Sequence, residues 1–265
     1  MKYLMKMLNI RPGEGKKVLT LFSYFFFLVC VVIIGKTTRD TYFLSRYERE
    51  LLPLMFVITA VVMTIIITIY NKISKKINLP TLVLCCLVFF ILSLILLQFN
   101  LHFTFRGKQI LVPVLFVWMD IVCTIPLIQF WTIAGESFGP REAKRLFGVI
   151  SGGGSLAPMV AGMSLKPFIS NFGADKLLFV VAALLGFVLL LMPVAMGLRQ
   201  KTSQKQTVQQ SQPKLKKVFN PYLKSIATVI GLSSIVSLLV DYQFKMIAST
   251  ALTDEASLAS FFDLL

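Results

Sequence analysis

The sequence predicts an all-α polytopic membrane protein, built as a six-helix bundle followed by a seventh transmembrane helix. Three observations lead there. Of the 265 residues, 56% are apolar and only 15% are charged, whereas a soluble domain carries about 25% charged residues. Mean hydropathy is +0.79. Seven apolar runs approach or exceed the roughly 20 residues that a helix needs to cross the hydrocarbon with its backbone polar groups satisfied. This composition excludes a disordered chain, a disulfide scaffold and a nucleic-acid-coating protein. The net charge of +15 therefore has to be read by its position relative to the spans.

The runs are 18–35, 51–70, 79–99, 110 to about 134, 146–165, 177–198 and roughly 225–244. The first follows Lys16 and Lys17 as a secretory signal would. It continues directly into Gly35, Lys36 and Arg39 with no small-residue cleavage pattern, so it is expected to remain as a span. The fourth and seventh each contain one carboxylate, Asp120 and Asp241. Their strongly apolar flanks keep them as spans. All four cysteines, Cys30, Cys85, Cys86 and Cys123, fall inside apolar runs and are expected as small buried thiols. One histidine, His102, and the absence of HExxH or Cys-rich spacing leave no metal set and no cofactor in view.

An inside N-terminus assigns seventeen cations to the cytoplasmic side and eight to the opposite one, which is the expected bias of an inner-membrane protein. Juxtamembrane cations held near anionic lipid account for most of the net charge without nucleic acid. The stretch 199–224 holds seven cations and no acid. Rich in Gln, Ser and Lys, it reads as a flexible cytoplasmic linker. The organisation is thus a six-span bundle over 1–198, the linker 199–224, and one span with its outer tail over 225–265. Secondary transporters commonly repeat a six-span half after such a connection. The odd span count and the FFDLL ending suggest a truncated second half, against the alternative of a seven-span product.

Within GKTTRDTYFLSR, Lys36 and Asp40 are four apart on one helix face and Arg39 lies one turn from Lys36. Such a cluster can offer cations to an anionic solute while a carboxylate limits their cost. It can equally snorkel into headgroups and end the span. Asp120 lies near mid-membrane, where an ionised carboxylate costs at least about 3 kcal/mol. Substrate or proton coupling and a structural buried pair are both open for it. Asp241, four residues before Lys245, reads as a local helix pair. At the other end, Glu136, Arg141, Glu142, Lys144 and Arg145 form either a gate of exchangeable ion pairs or an ordinary charged loop. The fifth span carries small residues at helical spacing: Gly148 and Gly152, then Gly153, Ala157 and Ala161, with Gly154 beside them. They predict close helix packing, with Pro158 as a hinge. The triple glycine has no GxxxxGK[ST] pattern and no preceding strand, so it is not a phosphate loop. No catalytic constellation emerges, and a non-enzymatic protein is expected.

The order of KTTRDT at 36–41, Phe130 and Trp131, and EAKRLFG at 142–148 resembles the bacterial and plastid nucleotide transporters, the ATP/ADP translocases related to the major facilitator superfamily. The resemblance implies a major-facilitator-like fold of twelve spans, the second half being required for transport. It implies nucleotide exchange, or nucleotide uptake with protons, across a bacterial inner membrane. It places Arg39 at the position of a substrate-recognising cation that is usually lysine, and Asp120 at that of a membrane acid that is usually glutamate. The chain has FWTIAG where the family has FW followed by AN. Two other functions stay in view: a major-facilitator-like carrier of another anion, a peptide or a drug-like solute, and a membrane scaffold or assembly factor.

Overall fold

The computed structural model describes residues 11, 14–47, 49–100, 111–173, 176–197 and 221–251. These form an all-α polytopic membrane protein with seven helices long and apolar enough to cross a membrane. They are α1 (Gly15–Arg46), α2 (Leu52–Ser74), α3 (Leu79–Asn100), α4 (Leu111–Ser137), α5 (Pro140–Phe172), α6 (Leu177–Gly197) and α7 (Pro221–Ala251), with a 3-10 turn at Arg49–Leu51 before α2. The described residues contain no strand. His102, Arg106 and Lys108, and the linker up to residue 220, lie outside the described residues. The last four residues of the predicted linker, 221–224, belong to α7.

The end of α1 differs from expectation in a way that matters. The apolar run stops at Gly35, but the helix continues to Arg46. Thr38 returns its hydroxyl to the Ile34 carbonyl at 2.6 Å, and every residue from 37 to 44 is buried. The helix therefore does not end at the 36–40 charges, and Arg39 and Asp40 are buried against other helices. Tyr42 and Phe43 bury almost completely on the far side of the charges, so the polar turn is enclosed by apolar surface both before and after it.

Enclosure follows from where α1 sits. It packs against α4, α5 and α6, while α3 packs against α4 and α6 and α2 against α4. Small residues permit the closest approaches. A Cβ at Gly35 would lie 3.0 Å from the Met119 sulfur and 3.2 Å from that of Cys123, so α1 meets α4 one turn before Arg39. On α5, Gly153 faces the Phe22 backbone and Gly154 the Phe25 ring, where added Cβ atoms would stand at 2.8 and 2.5 Å. Ala157 and Ala161 continue that buried face and Gly152 lies at its margin, 3.8 Å from the Phe22 ring. Gly148 does not belong to it: nothing lies within 4 Å of its Cβ direction. Pro158 is on the exposed side of an unbroken α5. The helix ends at Gly173, whose φ of +82° suits a residue without a Cβ.

Aromatic packing completes the α1–α4 contact. Phe25 stacks on Phe130 at 4.8 Å and meets Trp131 edge-on at 5.4 Å. Trp118 donates its indole N–H to Ser93 Oγ at 2.9 Å, tying α4 to α3. Cys30 and Cys123 are buried as expected, but Cys85 is exposed. The outlier among the helices is α7, whose residues 224–241 are all exposed. Only the end carrying Tyr242 and Lys245 packs on the bundle.

Candidate functional site: a five-membered charge chain

The helix registers bring the five charges together. Arg39 lies 24 residues past the start of α1 and Lys245 24 residues past the start of α7, about 36 Å along each helix. Asp120 lies nine residues into the antiparallel α4, about 14 Å from that helix's first residue. Asp40 follows Arg39 directly, and Asp241 precedes Lys245 by one turn.

Asp40 is the hinge of the cluster. Its Oδ1 accepts from Arg39 Nε at 3.0 Å and its Oδ2 faces Lys245 Nζ at 3.0 Å. Arg39 turns Nη1 to Asp120 Oδ1, and Lys245 donates to Asp241 Oδ2 at 2.6 Å. The result is an alternating chain, Asp120, Arg39, Asp40, Lys245, Asp241, running from α4 through α1 to α7. Aromatic faces flank both cations: Arg39 lies 4.3 Å from the Phe116 ring centroid and Lys245 5.3 Å from that of Phe56. In a low-dielectric interior each charge is stabilised by its neighbour of opposite sign, and each would be costly alone.

Exposure is graded along the chain. The side chains of Arg39, Asp40 and Lys245 are 5–8% exposed, Asp120 19% and Asp241 48%. Beside it opens a cavity of about 310 Å³ lined by Lys36, Thr37, Asp241 and Phe244, with Arg39, Asp40 and Lys245 on its wall. Lys36 is exposed there and forms no ion pair among the described residues. Asp241 also borders a second opening, a groove of about 580 Å³ between Phe56 and the α7 face bearing Ser233 and Ser237.

The sequence-level candidates Lys36, Arg39, Asp40 and Asp120 thus come together. Lys245 and Asp241, read from sequence only as a local pair, are part of the same site. Of the five gate candidates at the other end, Glu142 and Arg145 take partners outside the set. Glu142 reaches back to the Gly139 N–H at 3.2 Å, opening α5 beside Pro140. Glycine has no side chain to complete a capping box, so this single carboxylate contact is the cap. Glu136, Arg141 and Lys144 are exposed. Arg145 pairs instead with Glu14, which the sequence reading had not singled out, through Nη2 contacts of 2.5 and 2.6 Å.

Glu14 also accepts the Arg11 backbone N–H at 2.9 Å. Partial desolvation pushes its carboxyl upward, but these hydrogen bonds and the Arg145 charge outweigh that and hold it below the usual carboxylate range. A carboxyl depressed on folding stabilises above its unfolded pKa and loses that contribution as pH falls through the folded value. Glu14→Gln is therefore expected to cost about 1 kcal/mol at neutral pH and nothing at pH values below the folded titration. Thermal unfolding of both proteins in detergent between pH 3 and 7 checks it; a difference independent of pH would assign the loss to packing.

The described residues hold no group of three or more His, Cys, Asp or Glu side chains able to bind a metal ion. No protein-family model, curated protein or solved structure matches the chain.

Proposed function

We propose that the chain acts in secondary active transport of a small anionic solute by alternating access, with a nucleotide as the candidate substrate. One observation carries this reading: Lys36, exposed and without an ion-pair partner among the described residues, lines a cavity whose wall is a chain of ion pairs, buried at Arg39, Asp40 and Lys245, that joins three helices. Intramembrane charges are expensive and mark solute or ion paths by default. An anionic group entering the cavity meets the Lys36 ammonium first. It can then compete with Asp40 or Asp241 for Lys245, an exchange of partners that loosens the contact of α1 with α7. Such cycling needs binding energy that differs between two conformations and no covalent chemistry.

The choice of nucleotide, exchange of ATP for ADP or uptake driven by another gradient, and a bacterial inner-membrane setting with the N-terminus inside rest on the sequence resemblance and the cation bias. Another anion in the same cavity is the second reading, favoured by its modest size of about 310 Å³.

Labelled ATP uptake into proteoliposomes, with ADP inside and with imposed proton gradients, tests the proposal. Flux under either condition supports it, and no flux under both removes nucleotides as substrate. Lys36→Gln is expected to raise the KM roughly tenfold, the loss of one charge-assisted contact of about 1.4 kcal/mol, with Tm unchanged because no ion pair is broken. Lys36→Arg retains the charge and most of the affinity.

A further inference from the structure

The charges around the cavity balance. Lys36, Arg39 and Lys245 on its lining oppose Asp40 and Asp241 there and Asp120 directly behind Arg39, so an anion entering this site leaves an uncompensated negative charge unless a proton accompanies it. We propose that Asp241 takes up that proton, coupling anion binding to protonation at the junction of the cavity and the α7 groove. The inference rests on the anion-binding reading above and deepens it.

Three observations single out Asp241. Asp40 uses both oxygens, one on Arg39 and one on Lys245, and is almost fully buried. Asp120 faces Arg39 on α4 and does not line the cavity. Asp241 has one cation, Lys245, which it shares with Asp40; it is the most exposed of the three and borders both openings. The groups around it are Lys245 on its own helix, with the Ser237 and Ser233 hydroxyls one and two turns back, Lys36, Arg39 and Asp40 on α1, and the uncharged Phe56 on α2. Asp120 acts on it only through Arg39.

The step is a plain proton transfer. The Asp241 carboxylate takes a proton from hydronium and releases water. Lys245 then keeps Asp40 as its partner, so no buried cation is stranded. The charge cluster changes from balanced to one net positive charge, which offsets one negative charge of the anion. When Asp241 ionises again, its carboxylate reclaims Lys245 and repels the anion. By linkage the two ligands assist each other equally: the anion favours the protonated carboxyl as much as the proton favours the anion.

Calorimetry of ATP binding to the full chain in lipid nanodiscs, in two buffers of different ionisation enthalpy, counts protons taken up per anion. The expected result is about one more proton for the native chain than for Asp241→Asn. With one proton taken up per anion, native affinity falls by about tenfold per pH unit relative to the variant. Protonation of ATP itself is common to both proteins and drops out of the difference. Asp241→Glu, which keeps a carboxyl, restores the proton and guards against a variant that merely misfolds. Binding of ATP with equal proton uptake by the native and Asn proteins overturns the assignment and leaves the anion site standing. Failure of the native chain to bind either ATP or inorganic pyrophosphate overturns both.

Discussion

Replacing Arg39 by leucine is expected to cost about 3–5 kcal/mol of folded-state stability, the range for removing one partner from a buried ion pair. The guanidinium answers two carboxylates at once, Asp40 through Nε and Asp120 through Nη1. Without it Asp40 still has Lys245, but Asp120 loses its one ion-pair partner among the described residues. Most of the penalty should therefore reside in Asp120. Adding Asp120→Asn to Arg39→Leu is expected to recover a substantial part of the loss, because an uncharged amide replaces a carboxylate left without its cation. Denaturation by heat or by sodium dodecyl sulfate in mixed micelles gives the four stabilities of a double-mutant cycle. If the two substitutions simply add, the Arg39–Asp120 contact does not hold α1 to α4. Arg39→Lys tests geometry separately, since a single ammonium cannot reproduce the fork that reaches two carboxylates.

Much of this arrangement was legible in the sequence, for identifiable reasons. The spans announce themselves because a bilayer demands about 20 apolar residues in a row, and all seven appear. The small-residue face of α5 was legible through its four-residue spacing, which places Gly153, Ala157 and Ala161 on one side. Gly148 has the same spacing to Gly152 yet packs on nothing, because spacing fixes a face and not what covers it. The continuation of α1 beyond Gly35 was hidden, since hydropathy drops at Lys36 whether the chain leaves the membrane or enters a polar interior. Tyr42, Phe43 and Leu44, following directly on the charges, were the available hint. Lys245 was missed as a site residue for a related reason. Its local carboxylate, one turn away, accounted for it fully at the level of one helix, and nothing in a linear pattern says that the same ammonium bridges to Asp40 more than 200 positions earlier. The Glu14–Arg145 contact is likewise invisible along the chain, joining residues 131 positions apart.

The second large effect is expected at Lys245. The apolar face of α7 is open over its spanning stretch, so burial contributes little to holding this helix, and the contacts at one end must do so. Those contacts centre on Lys245, 4% exposed, which touches Asp40 on α1 and the Phe56 ring on α2, with Tyr242 packed beside it. Lys245→Met preserves length and apolar bulk while removing the charge. It leaves Asp241 without its cation and Asp40 with Arg39 alone, a loss of about 2–3 kcal/mol for a buried charge pair. Because each 1.4 kcal/mol is tenfold, the population with α7 detached from α1 should rise roughly 30- to 140-fold. A cysteine at Thr37, buried on the cavity wall, reports that population through its rate of modification by a maleimide, in a background with Cys30, Cys85, Cys86 and Cys123 replaced. A second reporter at Ala157, buried between α1 and α5, distinguishes detachment from general unfolding. Faster labelling at Thr37 with an unchanged rate at Ala157 is the expected pattern, and Lys245→Arg should suppress it by restoring a cation. Equal acceleration at both positions would make Lys245 a stability residue of the whole bundle, and no acceleration at either would mean that α7 is held by its apolar surface after all.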